Sequence, residues 1–510
     1  MQTYVTTRVA IRTVATAAML ALGAGIGPGC RGDYNAIFGG GAGVGGGSDF
    51  LSTGRTQSFF TATQADPRSE DSAGPQFADT ADFDGDGRLD IVSAWSQSQP
   101  VQIHLQRTSV TGRVIFETVT LAGNVPVVAV AGLAAADFDQ DGRLDVAVLL
   151  KETLGPEARC LDGTTRGGGL SGLILLFLAP TDPAMTTRAL AWTEVTVEAS
   201  RLSGSGDAAG GPDSGGYTAM AVGDMDVDGD VDVAVAWNSD CGMGGTHDVL
   251  IYRNRGALAV RDGNWAVTPL ENEVPTGGTI KDVALGDVDL DGDLDVFATF
   301  PDAASMNVRW YRNPTVDIPD DVHVADGTWQ VGVAGQVATS ADSVHVADID
   351  GDGRLDAVVR SSAGRVIQWL KGPGERATST GVGNIPWQVY TIAEFDDRTP
   401  GAVALGDVDA DGRLELVAAA DSALIWFDPP EPGNPFDQWT GRLIVDDASG
   451  PAIVTDPGAN PAAVVGGTVI NSVHAVDIDD DGFVDLVATF DRSGLSGLTN
   501  DALVWFRNTR

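Results

Sequence analysis

Aspartates recur at a short, fixed spacing in this chain. Residues 82–90 have the sequence DFDGDGRLD, which places four carboxylates and two glycines within nine residues. Carboxylates this close repel each other, so their charged forms are stable only when a hard cation lies between them. Oxygen ligands of this kind are the ones that Ca²⁺ prefers. The nonapeptide therefore predicts a calcium-binding loop.

Close copies of this nonapeptide occur seven times. They begin at residues 82, 137, 224, 287, 348, 407 and 477. Each copy has acids at positions 1, 3, 5 and 9, glycine at position 6 and apolar residues at positions 2 and 8. The first half matches a calcium-binding hand loop, but position 12, which is a bidentate Glu in the hand loop, is never acidic here. Self-similarity at this period predicts a repeat fold.

The segments around each loop are typical of β-strands. Position 9 is followed by apolar, β-branched runs such as DIVSAW and DVFATF, which favour buried strands and not an exiting helix. A third strand is predicted in patterns such as NVRWYRN and ALVWFRN, and a fourth near Trp192, Trp265, Trp329, Trp387 and Trp439. Four-stranded units repeated around an axis form a β-propeller. Tryptophans at equivalent places in such repeats are expected to pack between blades and not to bind sugar.

The loop followed by a strand resembles the VCBS or FG-GAP type repeat, which also builds the seven-bladed propeller of integrin α chains. The resemblance covers residues 55–510 and implies an all-β fold, a seven-bladed β-propeller with a calcium loop in each blade. It also implies one Ca²⁺ per loop, held by the side chains at positions 1, 3, 5 and 9 and by the backbone carbonyl at position 7. A full set of loops resembles the bacterial members more than integrins.

The implied ligands are five residues in each loop, at positions 1, 3, 5, 7 and 9. They are Asp82, Asp84, Asp86, Arg88 and Asp90; Asp137, Asp139, Asp141, Arg143 and Asp145; Asp224, Asp226, Asp228, Asp230 and Asp232; Asp287, Asp289, Asp291, Asp293 and Asp295; Asp348, Asp350, Asp352, Arg354 and Asp356; Asp407, Asp409, Asp411, Arg413 and Glu415; and Asp477, Asp479, Asp481, Phe483 and Asp485. We expect calcium in these loops to be structural, because the metal accounts for all the loop carboxylates.

The seventh blade needs a strand from elsewhere in the chain. The sequence ends at ALVWFRNTR, which supplies the third strand of that blade but leaves nothing for a fourth. One strand-like segment, RTQSFFTAT at residues 55–63, precedes the first blade and has no other place. The sequence therefore predicts that this segment pairs with blade seven and closes the ring.

The N-terminus is typical of an export signal. Arg8 and Arg12 precede the uncharged run at residues 14–26, which is too short to span a bilayer comfortably. We expect residues 1–29 to be a signal peptide and residues 30–54 a flexible Gly-rich linker. Two alternatives stay open for Cys30: lipidation, which would anchor the protein to the bacterial cell envelope, or simple secretion, since Pro28 departs from the usual lipoprotein cleavage site.

The two remaining cysteines have equivalent places in neighbouring blades. Cys160 and Cys241 each fall in the long connection between the second and third strands, in blades two and three. The sequence predicts a disulfide between them, consistent with an exported chain. The alternative is two unpaired cysteines in surface insertions.

The chain is strongly acidic. Its formal net charge is −40 at pH 7, and four acids in each of seven loops account for 28 of its 71 acidic residues. Such a surface repels nucleic acid and anionic membranes, which excludes both as direct partners. Membrane contact is expected only through a lipid anchor, and the chain is expected to be a monomer.

Residues that could catalyse a reaction are sparse. The chain has five histidines and lacks the HExxH, GxSxG and P-loop motifs. His345 and His474 each lie three residues before a loop, on a strand expected to border the central channel. We expect a non-enzymatic protein that mediates adhesion or binds a protein or polysaccharide. The alternative is a polysaccharide lyase or hydrolase with its catalytic groups near these two histidines.

Overall fold

Each acidic loop joins two antiparallel strands, as the sequence predicts. The fold is that of a computed structural model. The predicted signal peptide, the predicted linker with Cys30, and Cys160 and Cys241 lie outside the residues that it describes. The described residues are 60–64, 75–95, 101–121, 129–154, 158–159, 165–166, 170–188, 191–200, 215–239, 247–270, 279–302, 307–316, 329–335, 337, 340–373, 387–430, 439–445, 469–491 and 502–509.

Strands make up nearly all the regular structure of the first half. An N-terminal strand is followed by the strands of blades 1, 2 and 3, one helical turn and one short helix. They are β1 (Phe60–Gln64); β2 (Pro75–Ala81), β3 (Asp90–Trp95), β4 (Gln102–Thr108) and β5 (Val114–Thr120) of blade 1; β6 (Val130–Ala136), β7 (Asp145–Leu154), the hairpin β8 (Ala158–Arg159) and β9 (Thr165–Arg166), β10 (Leu170–Leu178), a 3₁₀ turn (Pro183–Met185) and β11 (Thr193–Ser200) of blade 2; and β12 (Gly215–Gly223), β13 (Asp232–Ser239), β14 (His247–Arg253), α1 (Ala257–Asp262) and β15 (Asn264–Pro269) of blade 3.

The second half contributes four more blades. They are β16 (Val283–Gly286), β17 (Asp295–Thr299), β18 (Val308–Arg312) and β19 (Gln330–Gly335) of blade 4; β20 (Ser343–Ala347), β21 (Asp356–Ser361), β22 (Val366–Lys371) and β23 (Gln388–Glu394) of blade 5; β24 (Pro400–Gly406), β25 (Glu415–Ala420), β26 (Ala423–Asp428) and β27 (Thr440–Val445) of blade 6; and β28 (Val469–Val476), β29 (Asp485–Asp491) and β30 (Ala502–Asn508) of blade 7.

Every blade consists of four antiparallel strands, which follow chain order in blades 1 to 6, while in blade 7 the fourth strand is β1. In blade 4, for example, the order is β16-β17-β18-β19, with Val296 paired to Tyr311 and Tyr311 paired to Val331. The innermost strands of successive blades contact one another around the ring, and β28 of blade 7 contacts β2 of blade 1. The all-β, seven-bladed propeller is confirmed.

The predicted ring closure is also confirmed. Strand β1 pairs antiparallel with β30, in a register that runs from Phe60 opposite Asn508 to Gln64 opposite Val504. The N-terminal strand thus becomes the outermost strand of blade 7 and covers the open edge of β30. Covering this edge removes a row of unpaired N–H and C=O groups.

Blades 2 and 3 are joined more closely than the sequence predicts. Their outermost strands β11 and β15 pair in parallel, with Glu198 opposite Asn264 and Ser200 opposite Ala266. A single parallel pair, Ser171 with Gly215, adds a second link between β10 and β12. These pairings turn two blades into one eight-stranded sheet.

The apolar core lies between the blades. The second strand of blade 1 is buried along its whole length, because neighbouring blades cover both of its faces. Aromatic residues at position 2 of one loop pack on the tryptophan of the next blade, with ring centroids of Phe83 and Trp192 6.3 Å apart and those of Phe138 and Trp265 6.2 Å apart. The expected role of these tryptophans in inter-blade packing is confirmed there.

Within the described residues, no helix is both long enough and apolar enough to cross a membrane.

Deletion of residues 51–65 tests the contribution of β1. We expect a sharp fall in the melting temperature, because the deletion exposes the edge of β30 along five paired residues. Circular dichroism melting of the deletion variant measures this. Deletion of the Gly-rich residues 39–50 is the control and should leave the melt unchanged. An unaltered melting temperature after loss of residues 51–65 contradicts a stabilising role for the closure.

Candidate metal centres

The acid at position 1 organises each loop. Its Oδ1 accepts a hydrogen bond from the N–H of position 5 at 3.0 to 3.2 Å, and its Oδ2 accepts one from the N–H of glycine at position 6 at 2.8 to 3.1 Å. The acid at position 5 in turn accepts the N–H of position 7 at 2.9 to 3.3 Å. The same bonds occur in all seven loops, so the loops share one conformation.

Two residues in every loop have a left-handed backbone. Position 4 has φ between 55° and 73°, and glycine at position 6 has φ between 85° and 106°. A Cβ added at Gly142 or Gly292 would meet no atom within 4 Å, so the backbone conformation and not space requires glycine there. In the third loop, position 4 is the β-branched Val227, for which φ of 59° costs about 1–3 kcal/mol. Hydrogen bonds within the loop must offset this strain.

The acid at position 9 connects the loop to the rest of the blade. One of its oxygens accepts the N–H of position 2, at 2.6 to 3.2 Å in the seven loops. In six blades the other oxygen accepts an N–H at or just beyond the end of the third strand, at 2.6 to 2.9 Å, from Gln106, Ala179, Asn254, Asn313, Gly372 and Asn508. All seven acids at position 9 are buried. Position 9 therefore has a structural role in addition to its predicted role as a ligand.

Blade 6 departs from this pattern. The residue that would donate the third-strand N–H is Pro429, which has no N–H to donate. Position 9 in this blade is Glu415, and its Oε2 accepts the N–H groups of both Val408 and Asp409, at 2.6 and 3.2 Å. Its Oε1 is buried and has no hydrogen-bond partner. The sixth loop thus holds a carboxylate oxygen that is available to a cation.

Burial shifts the acidity of the position-9 acids. It raises the pKa of Asp90, Asp356 and Asp485 to about 7, and the pKa of Asp145 and Glu415 to about 8. The negative charges of neighbouring loop acids raise these values further, against the lowering effect of the backbone N–H bonds. The pKa values of the buried Asp232 and Asp295 lie well above the usual range for the same reason. A divalent cation beside these groups would stabilise their charged forms.

The acids at position 3 have an unmatched oxygen. In four loops their Oδ1 atom is buried and has no hydrogen-bond partner, namely in Asp84, Asp139, Asp226 and Asp479. A buried carboxylate oxygen without a partner is costly, so it indicates a missing ligand. The acidic side chains of at least five loops also bring carboxylate oxygens within 4.8 Å of one another. The donor set, all oxygen and all anionic, fits Ca²⁺.

Basic side chains bind the other oxygen of the position-3 acids. In blade 1, Arg107 at the end of the third strand lies 2.7 Å from Asp84 Oδ2. In blade 7, Arg507 lies 2.5 Å from Asp479 Oδ2. Blade 2 has no basic residue at that place, and Arg261 of helix α1 in blade 3 reaches Asp139 Oδ2 at 3.1 Å instead. These cations reduce the repulsion among the acids but leave Oδ1 for a metal ion.

The asparagine of the WYRN and WFRN patterns has a role that sequence reasoning missed. Its backbone N–H bonds the position-9 acid of its own blade, while its side-chain amide donates to the position-2 carbonyl of the preceding blade. The amide bonds run from Asn254 to Phe138 (2.8 Å), from Asn313 to Met225 (2.8 Å), from Asn508 to Val408 (2.8 Å) and from Gln106 to Ile478 (3.1 Å). The Arg-Asn pair that repeats at the end of third strands is the sequence feature that could have indicated this role. We call these four bonds the amide clamps.

The structure places the histidines on separate parts of the ring. His345 and His474 are half-buried on the innermost strands of blades 5 and 7, and blade 6 lies between those blades. His104 is fully buried in blade 1, where its ring nitrogens lie 2.8 Å from Ser93 Oγ and 3.1 Å from Thr118 Oγ1. His104 is therefore a core residue without access to substrate.

The fold and loops together define a seven-bladed β-propeller with an acidic loop between the first two strands of each blade. A model of the FG-GAP-like repeat matches residues 82–148 and 224–298. The matched segments run from the loop of blade 1 into blade 2 and from the loop of blade 3 into blade 4, so these parts of the propeller are FG-GAP-like repeats.

Solved structures are also similar to the chain, at low sequence identity. A chain from the crystal structure of BBS1N in complex with ARL6DN is 12% identical, with a TM-score of 0.46, over 89% of this chain and 98% of that chain. A lectin from Agrocybe aegerita, described as recognising non-reducing terminal N-acetylglucosamine, is 14% identical, with a TM-score of 0.40, over 74% of this chain and 81% of that one. No curated protein matches the chain.

Substitution of Asn313 by Ala tests the amide clamps. The change leaves the buried carbonyl of Met225 without this donor, so we expect a loss of about 1–3 kcal/mol in the free energy of unfolding. Denaturant unfolding measures it. Asn264→Ala, at an exposed position of β15, is the matched control and should change the value by less than about 0.5 kcal/mol. Equal values for the two variants would show that the clamp contributes nothing.

The pH dependence of the metal-free protein tests the raised pKa values. In five of the acids at position 9, namely Asp90, Asp145, Asp356, Glu415 and Asp485, burial raises the pKa from an ordinary 3.8, or 4.5 for Glu415, to about 7 or 8 in the folded protein. The folded state then binds more protons than the unfolded state between these values, so stability falls as pH rises through this window. In EDTA, the melting temperature should decrease from pH 5 to pH 8. A melting temperature that increases over this range is incompatible with the shifts.

Proposed function

We propose that this chain is an exported, calcium-binding repeat protein that binds a protein or polysaccharide through one face of its propeller and catalyses no reaction. The observation that carries the proposal is the repetition of one loop seven times, with buried position-3 oxygens that have no partner in four of them. Export is supported by the apolar N-terminal run, and lipidation of Cys30 would hold the protein at the cell surface.

Calcium fits the loops for chemical reasons. The side chains at positions 1, 3, 5 and 9 would hold it, and the ion would supply two positive charges to a cluster of four negative ones. The same side chains also order the loop, because the position-1 acid accepts the backbone N–H groups of positions 5 and 6. The position-9 acid links the loop to the third strand, because it also accepts a backbone N–H from the end of that strand.

The architecture supports the proposed role in binding. The repeated acids have a structural role in the loops. The other connections between strands vary in length and sequence from blade to blade. Variable connections on a rigid scaffold are where propellers and other repeat folds place their binding residues. The separation of His345 from His474 by a whole blade supports a non-enzymatic role.

Removal of calcium tests the metal sites. We expect chelation by EDTA to lower the melting temperature by tens of degrees, because each site at a hundredfold excess of Ca²⁺ contributes about 2.7 kcal/mol. Asp479→Asn should remove one ion per chain, counted by native mass spectrometry, and lower the melting temperature by a few degrees. Asp397→Asn, an exposed acid outside the loops, is the matched control. A melt that EDTA does not change contradicts the proposal.

Exposure of the calcium-loaded protein to a glycan array tests the type of function. Binding without release of product supports a binding protein. Release of reducing ends or unsaturated sugars that disappears in His345→Ala would instead establish the polysaccharide lyase or hydrolase. The array and the product assay use the same protein sample, so the two outcomes are directly comparable.

A further inference from the structure

Lysine is rare in this chain, and its distribution is uneven. The sequence has only three lysines, at positions 151, 281 and 371, against 71 acidic residues. Lys371 bonds Asp350 and Asp352 in the fifth loop. The other two, Lys151 of blade 2 and Lys281 of blade 4, line one cavity although 130 residues separate them.

This cavity lies on the propeller axis. Its lining comes from five blades: Gln76 and Phe77 of blade 1, Val130, Ala131 and Lys151 of blade 2, Thr218 of blade 3, Lys281 of blade 4 and Asn471 of blade 7. Only the centre of a seven-bladed ring brings those blades together. We call it the axial cavity.

The axial cavity opens on the face opposite the acidic loops. In blade 2, the innermost strand begins at Val130 beside the cavity and ends at Ala136, where the acidic loop starts. Val130 pairs with Leu150, so Lys151 lies beside the start of β6 and well beyond Asp145, which is the residue of β7 next to the loop. The positive charge therefore stands apart from the calcium sites by the length of a strand.

Its size restricts what it can hold. The volume is about 170 Å³, below the roughly 300 Å³ at which pockets for drug-sized ligands begin. At about 30 Å³ for each water in the liquid, it has room for roughly six waters. One charged group and the first atoms of its carrier fit this space.

The backbone around Lys281 is held firmly. The preceding residue, Ile280, donates its N–H to Asn238 Oδ1 at 2.7 Å, and its carbonyl accepts from Asn238 Nδ2 at 2.7 Å and from Thr218 Oγ1 at 2.9 Å. The N–H of Lys281 donates to the carbonyl of Thr299 at 2.9 Å. Lys151 is held similarly, since its N–H donates to the carbonyl of Ala129 at 2.9 Å. These hydrogen bonds thus fix the backbone of Lys151 within β7 and of Lys281 just before β16, and both lysine side chains are exposed.

Neither ammonium group has an acidic partner in the part of the chain that the structure describes. Of the acids nearby, Asp282 accepts the N–H groups of Val283 and Val344, and Asp491 lies 3.5 Å from Gln76 Nε2. Two unpaired cations in a concave, partly apolar site focus a positive potential there. In a chain of net charge −40, these two ammonium groups are available to an anionic ligand.

We propose that the axial cavity binds a single oxyanion group, a carboxylate, sulfate or phosphate, through Lys151 and Lys281. The site does not depend on calcium, and it assigns ligand binding to the face opposite the loops. Phe77 and the aliphatic stems of the lysines would contact the carrier of the charged group.

A matched series of sugars tests the oxyanion site. Glucuronate, glucose 6-sulfate and glucose 1-phosphate are titrated calorimetrically into the calcium-loaded protein, with glucose as the neutral member. We expect at least one charged sugar to bind and glucose not to bind, and the binding member identifies the oxyanion. Lys151→Gln and Lys281→Gln should each weaken that binding by about tenfold or more, because hydrogen bonds to a charged group are lost. The double variant should abolish it.

Arg113→Gln is the charge-matched control, since Arg113 is exposed on the turn between β4 and β5, and it should bind like the parent protein. The calcium stoichiometry and melting temperature of the lysine variants should equal those of the parent, which separates this site from the metal loops. No binding by any of the three charged sugars, or unchanged binding in the double variant, overturns the proposal while leaving the calcium sites untouched.

Discussion

The buried carboxylate at position 9 is the interaction on which each blade depends. It begins the second strand, and it accepts one N–H from its own loop and, in six blades, another at the end of the third strand. Three segments of the blade are thereby fixed by one side chain. Its burial next to three other acids also raises its pKa, so the arrangement that orders the blade creates the need for a positive charge in the loop.

The blades are connected by a second set of interactions that varies around the ring. Four amide clamps join a blade to the loop before it, including the one from Gln106 to Ile478 that joins blade 1 to blade 7. Blades 2, 5 and 6 have Ala179, Gly372 and Pro429 at the clamp position and lack the amide. Blade 2 is instead paired to blade 3 through its outermost strand. Two interactions therefore close the ring at blade 7: the pairing of β1 with β30, and the clamp from Gln106 of blade 1 to Ile478 of blade 7.

The seven acidic loops lie on one face of the propeller for a structural reason. Every first strand runs toward the acidic loop, so all seven loops emerge on the same face. Residues at the beginning of the first strands and the end of the second strands meet on the other face, where Lys151 and Lys281 lie. This placement keeps Lys151 and Lys281 away from the acidic loops, whereas Lys371 bonds two acids of the fifth loop.

The sequence by itself determined the number of blades, their four-strand order and the closure by residues 55–63, because these depend on local patterns and on counting strands. It also identified the loop acids, since like charges at this spacing have few other uses. It did not reveal that the position-9 acid bonds the third strand, that Asn254 reaches the carbonyl of Phe138 in the preceding blade, or that Pro429 leaves an oxygen of Glu415 without a partner. Nor did it show that Lys151 and Lys281 line the same cavity. Those contacts join residues far apart in the chain, and only the closing of the ring sets the distances between them.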